Sequence, residues 1–159
     1  MQIAVQPPSK TVYQRILKPF PSVYLILPPL HTNVSGDPLS LLYEALSAKS
    51  HEEGVFVEAS VVRNDNGDPL DRAIDGQATA RLERSGWNSG VYTATFKKLK
   101  LLTTSQQRSG SKFSLCFRLK CSSLALGSLA DMVVISNPIE VFSHSQYLGK
   151  SDGTSLLPS

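Results

Sequence analysis

The chain has 159 residues, of which 41% are hydrophobic and 18% are charged, and its formal net charge is +3. This length and composition predict one globular domain with its own core and exclude an intrinsically disordered chain. No run of eighteen apolar residues occurs and the N-terminus lacks a signal-peptide pattern, so we expect a soluble protein that is not secreted and has no membrane partner.

The strands predicted in the first half of the chain are short and apolar. Gln2 to Gln6 is consistent with an edge strand, and Ser22 to Leu27, bounded by prolines, with a buried strand. Val55 to Val62 alternates and ends at a turn cluster, and Ala78 to Leu82 gives a further strand. The segment Pro38 to Lys49 is the one helical pattern, because its leucines recur at a spacing of three and four residues.

The second half contains the clearest alternation. In Lys112 to Cys121 the apolar side chains from Phe113 to Cys121 share one face, which leaves a basic, solvent-exposed face opposite. Val91 to Leu102 changes phase at Lys97-Lys98, which predicts a bulge within one strand. Met132 to Phe142 is a strand broken at Asn137-Pro138.

The order of these elements predicts the fold class. Strands follow one another without alternating helices, which favours an all-β, immunoglobulin-like antiparallel β-sandwich of about seven to nine strands with one short helix in a connection. We expect this domain to span residues 1–148 and a flexible tail to span residues 149–159.

Catalytic and metal-binding signals are weak. The sequence has no nucleophile elbow, phosphate-binding loop, HExxH pair or CxxC motif, so we expect neither an enzyme nor a small-molecule substrate nor a cofactor. The three histidines are scattered, which argues against a structural metal. Cys116 and Cys121 point to opposite faces of one strand and cannot bridge, and reduced thiols suit a cytosolic or nuclear protein. For Cys116 the favoured interpretation is a surface thiol, not a catalytic nucleophile.

Charge is distributed unevenly along the chain. Residues 1–36 hold three bases and no acid, and residues 91–130 hold seven bases and no acid, so ten of the sixteen bases lie in these two stretches. Residues 37–90 carry ten of the thirteen acids. If the two basic stretches meet in space, the domain has one positive side suited to nucleic acid.

Two segments resemble a known group of DNA-binding domains. Residues 133–139 (VVISNPI) are similar to the last strand of Rel-homology domains, and the start, residues 4–8 followed by Arg15 and residues 19–23, resembles the fungal velvet domain. The chain is also similar to amoebal developmental regulators with a STAT-like core. The resemblance implies a transcription regulator that grips DNA with loops from one end of the sandwich. The segment that would correspond to the Rel base-reading loop, residues 10–18, keeps Tyr13 and Arg15 but has neither the Cys nor the Glu of that motif.

The residue types suggest how each basic segment contacts DNA. Arg15 suits a guanine edge and Gln14 an adenine edge, while lysines hold phosphates. A predicted hairpin, residues 103–112, supplies hydroxyls, amides and cations, and the segment after the closing strand supplies weaker candidates. The full set of predicted DNA contacts is Lys10, Tyr13, Gln14, Arg15, Lys18, Gln106, Gln107, Arg108, Lys112, His144 and Lys150. For Lys97, Lys98 and Lys100 the favoured interpretation is a cationic edge strand that deters aggregation.

The sequence therefore predicts a nuclear, sequence-specific domain that binds double-stranded DNA, acting as a homo- or heterodimer or within a longer protein. The alternative is a protein–protein interaction module of immunoglobulin-like fold without direct DNA binding. The relative position of residues 10–18 and residues 106–112 discriminates between them, because the first hypothesis requires both at one end of the sandwich.

Overall fold

The structure, a computed structural model, describes residues 1–28, 38–48, 54–86, 90–121 and 132–144. These residues contain one α-helix, α1 (Pro38–Leu46), and one 3₁₀ helix (Gln106–Arg108). The described strands are β1 (Gln2–Val5), β2 (Lys10–Val12), β3 (Ser22–Ile26), β4 (Val55–Arg63), β5 (Ile74–Asp75), β6 (Thr79–Arg81), β7 (Glu83–Arg84), β8 (Val91–Thr95), β9 (Lys100–Leu101), β10 (Phe113–Cys121), β11 (Val133–Ile135) and β12 (Glu140–Phe142). The all-β class with a helix in one connection is confirmed.

Two four-stranded antiparallel sheets form the body of the domain. Their strand orders are β1-β3-β8-β7 and β11-β10-β4-β6. The longest ladder joins β4 and β10 over nine residue pairs, from Phe113 opposite Arg63 to Cys121 opposite Val55. Two smaller ladders, parallel β2-β12 and antiparallel β5-β9, lie outside these sheets.

The core is a single apolar cluster shared by both sheets. Phe113, Leu115, Phe117 and Leu119 alternate along β10 and are fully buried, as the sequence pattern predicts. The ring of Phe117 lies 5.3 Å from that of Phe96, which follows β8 in the other sheet. Because side chains of both sheets meet in one cluster, the arrangement is a sandwich.

Two segments that were each predicted as one strand form two strands, which pair with different partners. The run Val91 to Leu102 is β8 and β9, separated by a bend at Lys97-Lys98, so the expected bulge within one strand is wrong. The run Met132 to Phe142 is β11 and β12, which separate at the predicted Asn137-Pro138 break. Such divisions, with several strands of two or three residues, explain why twelve strands are described where seven to nine were expected.

The outer face of β10 is less exposed to solvent than predicted. Lys112, Arg118 and Lys120 are exposed, but Ser114 is fully buried and Cys116 is 8% exposed. The Asn64 amide covers Ser114 and donates to its hydroxyl at 2.9 Å. The interpretation of Cys116 as a surface thiol is therefore wrong. The predicted tail, residues 149–159, lies outside the described residues.

Candidate nucleic-acid interface

Residues 10–18 run as a strand, a tight turn and a bridge along the surface. The backbone N–H of Arg15 donates to the Val12 carbonyl at 3.1 Å, and Gln14 between them has a φ of 63°. A positive φ at the third residue defines a type II turn, which usually places glycine there. The N–H of Gln14 also donates to Leu101 at 3.0 Å, and that of Leu17, which is fully buried, to Leu99 at 2.9 Å. These bonds hold the exposed side chains of the turn on a fixed backbone.

A groove of about 470 Å³ runs beside this segment. Its lining includes three of the predicted DNA contacts, Lys10, Arg15 and Lys18, together with apolar surface from Pro8 and Ile16. None of the described residues that line it is acidic. Arg15 and Lys18 are exposed and Lys10 is half-buried, and Glu140, opposite Lys10 in the β2-β12 ladder, partly offsets the positive charge at this groove.

Strand β12 lies between the two predicted DNA-contacting segments. On one side, Val141 pairs in parallel register with Thr11 of β2. On the other side, Ser105 donates its N–H to the Val141 carbonyl at 2.9 Å and accepts the Val141 N–H through Oγ at 3.0 Å. With adjacent strands about 4.8 Å apart, Thr11 and Ser105 are separated by roughly 10 Å. The start of the 103–112 segment therefore lies one strand away from β2, with β12 between them.

The predicted hairpin, residues 103–112, instead contains the 3₁₀ helix, and β9 and β10 on its two sides do not pair with each other. Thr104 Oγ1 accepts the Gln107 N–H and Gln107 Oε1 accepts the Thr104 N–H, both at 3.1 Å, a reciprocal capping pair. Thr103, Thr104 and Ser105 are buried, so the expectation that their hydroxyls contact phosphates is wrong. Arg108 donates from Nε to Thr103 Oγ1 at 3.3 Å, while Gln106 is exposed.

An acidic turn lies next to Lys112. The N–H of Asn64 donates to the Lys112 carbonyl at 3.0 Å, which brings the 64–68 turn, with exposed Asp65 and Asp68, beside the basic segment. The Arg63 guanidinium bonds to the Asp65 carboxylate at 2.8 and 3.1 Å and lowers the pKa of that carboxyl. Although residues 91–130 contain no acid, Asp65 and Asp68 lie near Lys112 in the folded chain. Lys112 is therefore a weaker candidate for DNA contact than the cations of the groove.

The remaining predicted contacts follow β12. Tyr13 donates its N–H to the Phe142 carbonyl at 2.8 Å, and exposed His144 lies two residues beyond Phe142. Between β12 and the 3₁₀ helix is a second depression of about 500 Å³, lined by Gln106, Ser109, Phe142 and the carboxylate-bearing Glu140 among others. Lys150 lies outside the described residues.

The chain was also compared with known proteins. No family model matches the sequence, and no curated protein matches it. The likeness to Rel, velvet and STAT-like domains stays a prediction.

The segment with Lys97, Lys98 and Lys100 is placed differently from the prediction of a cationic edge strand. β9 is no edge strand, because β5 pairs with Lys100 and Leu101 on one side and Ile16 forms a bridge to Lys100 on the other. The phase change at Lys97-Lys98 was the available signal, since it marks the point where the chain leaves β8 for the ladder next to residues 14–17.

The described residues contain neither a metal-binding cluster nor a membrane-spanning helix. Among the described residues, no three His, Cys, Asp or Glu side chains cluster where they would hold a metal ion. No helix in the described ranges has the length and apolar character needed to cross a membrane.

Proposed function

We propose that this chain is a sequence-specific double-stranded DNA-binding domain of a nuclear transcription regulator, which contacts DNA through the loops at one end of the sandwich. The observation that carries the proposal is the position of β12, flanked by Thr11 on one side and Ser105 on the other. We infer that the cations carried by these two stretches, about 90 residues apart in sequence, form one positive surface, since the two backbones flank the same strand. A positive surface of this kind attracts the phosphate backbone.

The groove next to β2 has the chemistry for phosphate contacts. Lys10 and Lys18 both line it and provide ammonium groups. Phosphate contacts of this type fix the position and orientation of a protein on DNA without reading sequence. They give binding that weakens as salt is added.

The turn at Tyr13 and Gln14 supplies groups that can read bases. Arg15 carries the paired donors that match guanine O6 and N7, and Gln14 carries an amide that matches adenine N6 and N7. Because the turn backbone is anchored to Leu101 and Phe142, these side chains project from a rigid base. Gln106 lines the depression beside β12, and we include it with Arg108 and His144 as additional polar contacts.

Arg15→Ala tests this function directly. We expect wild-type binding to a random-pool duplex to weaken steeply between low and high salt, and the variant to lose about 1–3 kcal/mol of binding free energy and some base preference. Fluorescence anisotropy gives the affinities, and binding-site selection gives the preference. Arg84→Ala is the matched control, because Arg84 is an exposed arginine paired with Tyr92, at the far end of β8.

A protein–protein interaction module remains the second candidate, and β11 is the observation that favours it. This strand is the outermost of its sheet, and its Ile135 and Val133 side chains are 55% and 39% exposed. Exposed β-branched side chains on an outer strand suit pairing with another protein chain. If wild-type protein shows no salt-dependent binding to any duplex in the experiment above, the DNA proposal is wrong and this candidate replaces it.

A further inference from the structure

The β9 ladder brings a third lysine-rich segment to the border of the groove. Ile16, which lines the groove, is bridged to Lys100 in antiparallel register. Residues directly opposite each other in such a bridge project to the same side. Leu99 and Leu101 on either side of Lys100 are fully buried, so the Lys100 side chain points outward, next to Ile16.

Lys97 and Lys98 belong to the same lysine-rich segment as Lys100 and precede it in the chain. Both side chains are exposed at the bend between β8 and β9. Gly76, which follows β5, fixes the bend: a Cβ at this position would lie 1.7 Å from the Lys98 carbonyl oxygen, and its φ is 90°. A close backbone approach that only glycine permits therefore holds the lysine bend against the turn after β5.

A further groove, of about 320 Å³, is separate from the groove beside residues 10–18 and from the depression beside β12, and Lys97 is one of its lining residues. Lys97 lines it together with the Thr93 and Thr95 hydroxyls of β8 and the Gln77 amide, while Glu83 lies on its wall as well. Hydroxyl, amide and ammonium groups are the usual contacts to phosphate oxygens. Since the groove also contains Glu83, we assign phosphate contact to its Lys97 side.

We propose that bound DNA continues from the Lys10–Arg15–Lys18 groove across β9, with Lys100, Lys98 and Lys97 contacting successive phosphates of one strand. This rests on the proposed function and extends its footprint to residues that sequence patterning assigned to solubility. Because the chain bends at Lys97 and Lys98, the three lysines span less than the roughly 10 Å of three extended residue steps, and three successive phosphates of one strand span about 7 Å of helix axis.

Asp75 opposes the DNA in this path. It pairs with Lys100 in the β5-β9 ladder and is exposed, so its carboxylate faces the same side as Lys100. A carboxylate at this position repels phosphates and partly offsets the charge of Lys100. Asp75 therefore lowers the affinity of the wild-type protein for any duplex, whatever its sequence.

Two sets of charge-neutralising variants test the path. We expect Lys97→Gln, Lys98→Gln and Lys100→Gln each to reduce the slope of log K against log salt by about 1, uniformly across sequences. We expect Asp75→Asn to change affinity in the opposite direction and tighten binding. The matched controls are Lys120→Gln and Glu58→Gln, exposed residues on the outer face of the β4-β10 ladder. Thermal unfolding of every variant confirms that it is folded.

The outcomes separate this inference from the proposed function. If the wild type binds duplex DNA but the three lysine variants and Asp75→Asn behave like the two controls, the path across β9 is wrong and the proposed function stands. If the wild type binds no duplex, both fail. Reduced slopes for the lysine variants together with tighter binding for Asp75→Asn support the path.

Discussion

At the scale of single residues, Gln14 combines an unfavourable backbone conformation with an exposed position next to Arg15 of the basic groove. Its φ of 63° lies in the left-handed region, which costs a non-glycine residue roughly 1–2 kcal/mol. Glycine would fit the same turn without a Cβ penalty. A side chain kept at such a position is consistent with a functional role for the amide.

Replacing Gln14 by glycine separates stability from recognition. We expect Gln14→Gly to raise the free energy of unfolding by roughly 1 kcal/mol, measured by urea denaturation, because it relieves the left-handed strain. We also expect the selected DNA sites to lose preference at one position. Arg72, with a φ of 56°, is the control: Arg72→Gly should stabilise similarly and leave base preference unchanged. Unchanged preference in Gln14→Gly would exclude base reading by this residue.

At the scale of an element, the 3₁₀ helix carries a glutamine whose amide oxygen bonds to the backbone just before the helix. The Gln107 amide oxygen accepts the Thr104 N–H, whereas the neighbouring Gln106 lines the depression beside β12; both glutamines are exposed. The sequence pattern Thr-x-x-Gln is the signature of this pairing, but a polar loop is as easily interpreted as a contact surface.

Substituting each glutamine in turn tests these two roles. Gln107→Ala removes one of the two bonds in the reciprocal pair, so we expect a loss of about 1 kcal/mol of unfolding free energy in chemical denaturation. Gln106→Ala should leave stability within about 0.5 kcal/mol of wild type, because it is a surface substitution. Equal destabilisation by the two substitutions would contradict the capping role.

At the scale of the whole molecule, one core holds both sheets together. The contact between Phe96 and Phe117 joins the end of β8 to the middle of β10, at a ring separation of 5.3 Å. A domain with one shared core unfolds as one cooperative unit. The loops of the basic surface therefore depend on packing that lies beneath them.

A double-mutant cycle on this aromatic pair measures the coupling between the sheets. We expect Phe117→Ala alone to cost about 3–5 kcal/mol, since a fully buried aromatic ring leaves a cavity. For the milder substitutions Phe96→Leu and Phe117→Leu, we expect an interaction energy of about 0.5–1.5 kcal/mol by denaturant unfolding. Strictly additive effects, or two separate transitions, would show that the sheets are not coupled through this pair.

Local patterns were sufficient for most elements and insufficient for their partners. Alternation between Phe113 and Cys121 predicted β10, one of the two longest described strands, because one side of it faces the core. No local pattern specifies that Lys10 pairs with Glu140, since parallel pairing between distant segments depends on tertiary packing. The neighbours of Lys100 and the acidic turn beside Lys112 were missed for the same reason.

The β2-β12 ladder also has a consequence for synthesis. Lys10 emerges from the ribosome about 130 residues before Glu140, its register partner. Because translation proceeds at about 5–20 residues per second, β2 is synthesised roughly 6–26 seconds before the strand that aligns it with the 3₁₀ helix. A nascent or truncated chain that lacks β12 has the cations of the groove but not this alignment, so residues 10–18 and the 3₁₀ helix are aligned only after β12 has been synthesised.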